Sequence, residues 1–210
     1  MIVGNDVVDL GDRESRPESL HRRWDLRAFT PAERDRVHGS PSPHRTRWAL
    51  WAAKESAFKV ARKLDPGVSF VPRAFRVGEE VAHGLHGARV VVRNASRAFD
   101  VWLEETRDWV HAVAVAVPRG RPGPSGPPGA AVETVTGGSG AGEACPGRRV
   151  REVARSLLAS GLALLPGEIT IRSMDRIPRA LCPRRGVEVD LSLSHHGRFV
   201  ACAVGGVRRR

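Results

Sequence analysis

The chain has 210 residues and a formal net charge of +11 at pH 7. With 41% hydrophobic and 27% charged residues it has a globular composition, which excludes a disordered chain. No apolar run approaches the roughly 18–20 residues a membrane span needs, and three widely spaced cysteines exclude a disulfide-stapled mini-domain.

Residues 2–10 predict a strand, and alternation along it places Ile2, Gly4, Asp6, Val8 and Leu10 on one face. A short helix opens at Pro31 and runs to about Arg36, with Thr30 as N-cap and Glu33 completing a capping box. Residues 45–64 predict a longer helix, stopped by Asp65-Pro66-Gly67. Residues 89–93, 99–104 and 110–117 read as strands. Glycine, proline and serine then dominate residues 118–147, which predicts a flexible linker. Beyond it come a helix over 150–165, a short strand over 168–172, and strands over 188–194 and 199–204. The last two form a hairpin around His195-His196-Gly197-Arg198. The linker divides the chain into residues 1–117 and 148–210. The second piece is small, so it is expected to pack against the first. No repeat at a fixed period is visible, and the mixed order of strands and helices predicts the α+β class.

Of the 34 basic residues only Lys54, Lys59 and Lys63 are lysines. The surplus of arginine favours acidic partners, whether nucleic acid, phosphorylated ligands or an acidic protein. The N-terminus has no basic region before an apolar stretch and does not read as a secretory leader. Cys145, Cys182 and Cys202 have neither CxxC nor zinc-site spacing, which fits a reducing cytoplasm. There is no Walker loop, no GxGxxG after a strand, no GxSxG elbow and no HExxH.

Three segments carry chemistry. Asp6 interrupts an otherwise apolar strand face; it is either paired structurally or holds a metal. In the helix over 45–64, Leu50, Ala53, Ala57, Val60, Ala61 and Leu64 form the core stripe. Trp48, Ala52, Glu55 and Lys59 fall on the opposite face. There Glu55 and Lys59 are either a solvated i,i+4 pair or a ligand-facing pair, with the small Ala52 admitting a ligand. In the last hairpin, Val187, Val189, Leu191 and Leu193 face the core, and Ser192 and Ser194 the other side. Ser194 and His195 offer a hydroxyl and a ring nitrogen, either to the turn itself or to a phosphate. His196 is expected at the surface.

Together these segments resemble the 4'-phosphopantetheinyl transferase superfamily. The matching residues are Gly4-Asn5-Asp6-Val7-Val8-Asp9-Leu10, Trp51-Ala52-Ala53-Lys54-Glu55-Ser56-Ala57-Phe58-Lys59 and Ser192-Leu193-Ser194-His195. The resemblance implies two pseudo-two-fold-related α+β lobes, each a small antiparallel sheet with packed helices. It implies transfer of the 4'-phosphopantetheine arm of coenzyme A to a serine hydroxyl of an acyl or peptidyl carrier protein, with release of adenosine 3',5'-bisphosphate. It also implies Mg²⁺ as cofactor, held by Asp6 and Glu55, with Glu55 and Lys59 as catalytic residues. Lys59, Ser194 and His195 would bind coenzyme A. Asp9 lies off the Asp6 face and is not counted as a ligand, and Val8 stands where longer members carry a second acid. Arg184 and Arg185 are candidates for a basic segment before the Ser194 strand, and Arg13, Arg16, Arg22 and Arg23 for a carrier-facing surface.

The motif order, G-x-D then K-E then S-H, is that of the short members that build sites across subunits. The length is that of the two-lobed members, whose S-H lobe comes first. The implied relationship is a circular permutation, which requires residue 1 and the chain after Val204 to lie close together. The expected protein is a cytoplasmic monomer with its site between lobes, without nucleic-acid or membrane partners. Two rival readings are a non-catalytic binder of coenzyme A or a carrier, and a basic nucleic-acid-binding protein resting on charge alone.

Overall fold

The structure, a computed structural model, describes residues 1–84, 87–95, 97–117, 126–135, 145–175 and 177–209. Its first strand, β1 (Val3–Asp9), is buried from end to end. Two 3-10 turns (Arg13–Ser15 and Pro17–Ser19) and the helices α1 (Trp24–Ala28), α2 (Pro31–Gly39) and α3 (Pro43–Leu64) follow. Then come β2 (Arg76–Gly84), β3 (Gly87–Asn94), β4 (Arg97–Glu105) and β5 (Trp109–Val117). All five strands form one antiparallel sheet in the order β1-β5-β4-β3-β2.

The rest of the chain retraces this path: β6 (Gly129–Thr134), α4 (Pro146–Leu162), β7 (Thr170–Met174), β8 (Ile177–Cys182), β9 (Val187–His196) and β10 (Phe199–Arg209). Their sheet has the order β6-β10-β9-β8-β7, again antiparallel. Each unit is therefore an edge strand, a helical segment of three helices in the first and one in the second among the described residues, and a four-stranded meander whose last strand returns to pair with the first. No helix among the described residues is long and apolar enough to cross a membrane.

The segment expected as a linker is corrected here. Residues 129–134 are β6, paired with β10 from Phe199↔Thr134 to Val204↔Gly129, and α4 begins at Pro146. Small, weakly apolar residues make β6 resemble loop sequence, but backbone pairing needs no large side chain. Residues 118–125 and 136–144 of that segment lie outside the described residues. Two further strands, β2 and β8, are not predicted by the sequence pattern. β2 mixes Gly and Glu with its apolar residues. β8 carries Pro178, paired with Ser173 of β7 but lying before the stretch 179–182 that pairs with β9. A proline is tolerated at such a position because no ladder bond is lost.

Local rules set the element ends. Thr30 and Glu33 form the capping box of α2, with Pro31 at its first turn. α4 ends at Ala163 in the left-handed region (φ 50°). α3 lays Leu50, Ala53, Ala57, Val60 and Ala61 on a core that includes Val8, Phe99, Val101, Val110, Ala112 and Ala114. The opposite face of α3 is not open. Trp48 is buried against Trp24, its indole N–H donates to the Ser15 carbonyl at 2.9 Å, and Ala52 is fully buried. The α1 region covers this stretch, so Ala52 admits no ligand.

The two sheets meet along β1. Val3 packs with Trp102, Val113, Val115 and Ala203, and Val7 with Phe199 and Ala201. Met1 and Gly206 also meet: the Gly206 N–H donates to the Met1 carbonyl at 2.7 Å.

Candidate functional site at the seam between the sheets

β1 pairs with β5 on one side only, so its other edge presents unpaired backbone groups. A buried unpaired N–H costs about 1–3 kcal/mol. Here β9 supplies the partners with side chains. The N–H groups of Val3, Asn5, Val7 and Asp9 donate to Asp190 Oδ2 (2.8 Å), Ser192 Oγ (2.9 Å), Ser194 Oγ (3.2 Å) and His196 Nδ1 (3.1 Å). Every second residue of β9 thus meets every second residue of β1. The carbonyls are met from α3: Lys63 Nζ donates to Val3 at 2.7 Å, and Lys59 Nζ to Asn5 at 2.8 Å. Lys63 also bonds Asp190 (3.0 and 3.1 Å) and the Leu191 carbonyl (2.8 Å). His196, expected at the surface, is a rung of this ladder.

The seam gathers the candidate residues. Lys59 Nζ lies 2.9 Å from Asp6 Oδ1 and 3.8 Å from Glu55 Oε1. Ser194 Oγ donates to Asp6 Oδ1 at 3.0 Å, across 188 positions of sequence. Gly4 permits this approach: a Cβ there would collide with the Ser56 carbonyl of α3 and press on Lys59 and Val60. Asp6, Glu55, Lys59 and Ser194 therefore converge. His195 does not join them; it is exposed at the end of β9, on the face opposite Ser194.

Burial, then the Asp6 carboxylate, push Glu55 up to about 7, against the pull of Lys59 and a Trp51 hydrogen bond. Burial works against the Lys59 ammonium, but Asp6 and Glu55 outweigh it and hold Lys59 above the usual lysine range. Burial and the Lys59 charge hold His111 down at about 3, so this ring, 3.2 Å from Asn5 Nδ2, stays neutral. Asp6 and Glu55, two carboxylates on either side of the Lys59 ammonium, form a hard-oxygen donor pair suited to a small dication. Beside them, Phe58, Lys59, Arg62, Lys63, Ile177, Pro178, Ser192 and Leu193 line a cleft of about 210 Å³ between α3 and β8–β9.

Neighbouring residues have other work. Lys54, next to Glu55, is fully buried; its ammonium bonds both Glu33 oxygens at 2.8 Å and the carbonyls of Pro72 and Phe75. Burial lowers its pKa against the pull of Glu33. Asp9 is turned away from Asp6 and bound by Arg198 through Nε (2.9 Å) and Nη2 (2.8 Å). Arg184 pairs with Glu168 in the turn after α4, and Arg185 reaches the Leu162 carbonyl at the end of α4, so both are tied there rather than to the seam. Arg13, Arg16, Arg22 and Arg23 are exposed between β1 and α1.

Residues 2–114 match the family described as the 4'-phosphopantetheinyl transferase superfamily. The chain belongs to this superfamily. The matched stretch holds Asp6, Glu55 and Lys59 and ends before the strand of Ser194. Among solved structures the chain is similar to the holo-[acyl-carrier-protein] synthase of Neisseria meningitidis, at 20% identity and TM-score 0.44, covering 56% of this chain and all of that one. It is also similar to the holo-[acyl-carrier-protein] synthase of Thermotoga maritima, at 19% identity and TM-score 0.40, covering 56% of this chain and 63% of that one. No curated protein sequence matches it. Membership in the superfamily carries phosphopantetheinyl transfer to carrier proteins as the general activity, with coenzyme A as the substrate.

The sequence pattern does not by itself place Ser192, Asp190, Lys63, Asp9 and Arg198 in the site. The alternation Asp190, Ser192, Ser194, His196 was the available signal: one strand face made wholly of polar residues must meet polar partners when buried.

Proposed function

We propose that this protein transfers the 4'-phosphopantetheine arm of coenzyme A to a serine hydroxyl of an acyl or peptidyl carrier protein, in a Mg²⁺-dependent reaction that releases adenosine 3',5'-bisphosphate. The supporting observation is the convergence of Asp6, Glu55, Lys59 and Ser194 from β1, α3 and β9. A single chain supplies all four groups, which fits a monomeric enzyme.

Asp6 and Glu55 would hold the Mg²⁺, with phosphate oxygens and water completing its shell. That ion would neutralise the diphosphate of coenzyme A and stabilise the charge left on the departing adenosine 3',5'-bisphosphate. Lys59, anchored on the Asn5 carbonyl, directs a fixed positive charge toward the same region. Ser194 offers a hydroxyl, and His195 a ring at the exposed end of the seam. Glu55 takes the proton of the attacking serine, directly or through one water. The cleft beside Lys59, walled by Phe58, Ile177 and Pro178, suits the dimethyl and methylene groups of the pantetheine arm. The exposed arginines before α1 suit steering of an acidic carrier.

The test is intact-protein mass spectrometry of apo acyl carrier and peptidyl carrier proteins incubated with this protein, coenzyme A and Mg²⁺. We expect a gain of one phosphopantetheine mass that disappears with Glu55→Ala and without metal. Coenzyme A binding with no transfer to any carrier points instead to a non-catalytic member of the superfamily. Transfer undiminished in Glu55→Ala overturns the role of Glu55.

A further inference from the structure

We propose that Asp9 is a positioning residue: by clamping Arg198 and His196 it fixes the β9–β10 corner, and with it His195, against the strand that carries Asp6. The inference rests on the phosphopantetheinyl-transfer reading and assigns a residue to the coenzyme A half of that site.

The Asp9 side chain is 1% exposed and both its oxygens are engaged. Oδ1 accepts from the Gly11 N–H at 2.9 Å and from Arg198 Nη2 at 2.8 Å. Oδ2 accepts from the Arg198 N–H and from Arg198 Nε, both at 2.9 Å. Four donors leave little acceptor capacity for a metal. The backbone of Asp9 is equally committed. Its N–H donates to His196 Nδ1, and its carbonyl accepts from Ser15 Oγ at 2.6 Å. One residue of β1 thus grips a corner 189 positions away through both the side chain and the backbone of Arg198.

The corner is shaped to fit it. Gly197 has φ +51°, and a Cβ there would strike the Asp9 carboxylate. The Arg198 guanidinium lies over the Phe199 ring, 5.3 Å from its centroid, which sets the fork facing Asp9. His195 itself makes no side-chain hydrogen bond or ion pair among the described residues. Its backbone is paired with Val200 of β10, and its neighbours are fixed to β1: Ser194 by Asp6 and Val7, and His196 by Asp9. Loosening Asp9 therefore releases the anchor on the far side of His195, at His196 and Arg198, and lets the His195 ring shift while Ser194 stays on Asp6 and Glu55 and Lys59 are untouched.

The experiment is isothermal titration of coenzyme A with Mg²⁺ into the full-length protein and into Asp9→Asn, Gly197→Ala and Arg198→Lys. Val92→Ala, a core truncation in β3 remote from the corner, is the stability-matched control. Melting temperatures are measured for each, and binding is read well below them. We expect Asp9→Asn and Gly197→Ala to weaken coenzyme A binding by about tenfold, the scale of one or two lost charge-assisted hydrogen bonds. Arg198→Lys, which keeps the charge but not the fork, falls between, and Val92→Ala binds as the parent does. In the transfer assay the KM for coenzyme A rises while the KM for the carrier holds. Folded Asp9→Asn and Gly197→Ala proteins that bind coenzyme A like the parent overturn the clamp and leave phosphopantetheinyl transfer standing. A parent that binds no coenzyme A overturns that reading, and the clamp with it. If Asp9→Asn does not fold, Gly197→Ala and Arg198→Lys decide the matter, since both keep the carboxylate.

Discussion

Asp9 also makes the stability of the seam depend on pH. Burial works against its charge, yet the side-chain and backbone hydrogen bonds from Arg198 and Gly11 lower its pKa from 3.8 to about 2. A group whose folded pKa lies below its unfolded value stabilises the fold when ionised. The contribution is complete above about pH 4 and is lost as the pH falls toward 2, and it amounts to roughly 2 kcal/mol. Asp9→Asn removes it. The difference in urea midpoint between parent and variant should therefore shrink between about pH 4 and pH 2; a constant difference would show that Asp9 is not depressed. At this scale the sequence was partly legible. Asp6 could be singled out because a carboxylate on an apolar face demands a partner. Its partners could not be named, because Lys59 lies 53 positions away and Ser194 188. Lys54 shows the converse. It stands beside Glu55 in the same motif, yet its ammonium is enclosed by Glu33 and two carbonyls, an arrangement that only the folded chain brings together.

At the scale of elements, the distance between β1 and α3 governs the site. Asp6 rides on one and Glu55 and Lys59 on the other, and Gly4 sets how closely they pack. Gly4→Ala introduces a Cβ against backbone, which no side-chain rotation relieves, so the helix must move. The expected cost is about 1–3 kcal/mol. Transfer should fall further than stability alone explains, because the same displacement separates Glu55 and Lys59 from Asp6. Chemical denaturation and the carrier-loading assay, run where the variant remains folded, measure the two effects. An unchanged denaturation midpoint would mean that α3 yields without cost. Strong periodicity made α3 readable, and the capping box made the start of α2 readable. β2, β6 and β8 were not, since Gly, Glu, Ala and Pro weaken the strand signal and neighbouring strands supply the pairing that holds them. The polar face of β9 was visible as sequence, but its target, the open edge of β1, exists only once both sheets have formed.

At the scale of the whole molecule, one topology occurs twice, although no repeat is visible in the sequence. Two differences hide it. Three helices follow β1, whereas α4 is the single α-helix after β6 among the described residues. The aromatic cluster of Trp24, Trp48, Trp51, Phe58, Phe70, Phe75 and Phe99 belongs to the first unit alone. The units meet through the β1–β9 ladder and Lys63, none of which depends on how the chain connects them. The chain ends meet as well, where Gly206 bonds Met1 beside the irregularity between Val204 and Val207 of β10. A permuted chain is therefore expected to keep the site. It would join residue 210 to residue 1 through about six Gly/Ser residues, enough to cover the few residues past Gly206. Opened within residues 118–125, it would run from β6 to β10 and then from β1 to β5, the S-H lobe first. We expect it to fold, to bind coenzyme A and to load the same carriers as the parent, measured by melting temperature, calorimetry and mass spectrometry. A permutant that folds but loses both binding and transfer would show that the native connection, rather than the ladder, holds β9 against β1.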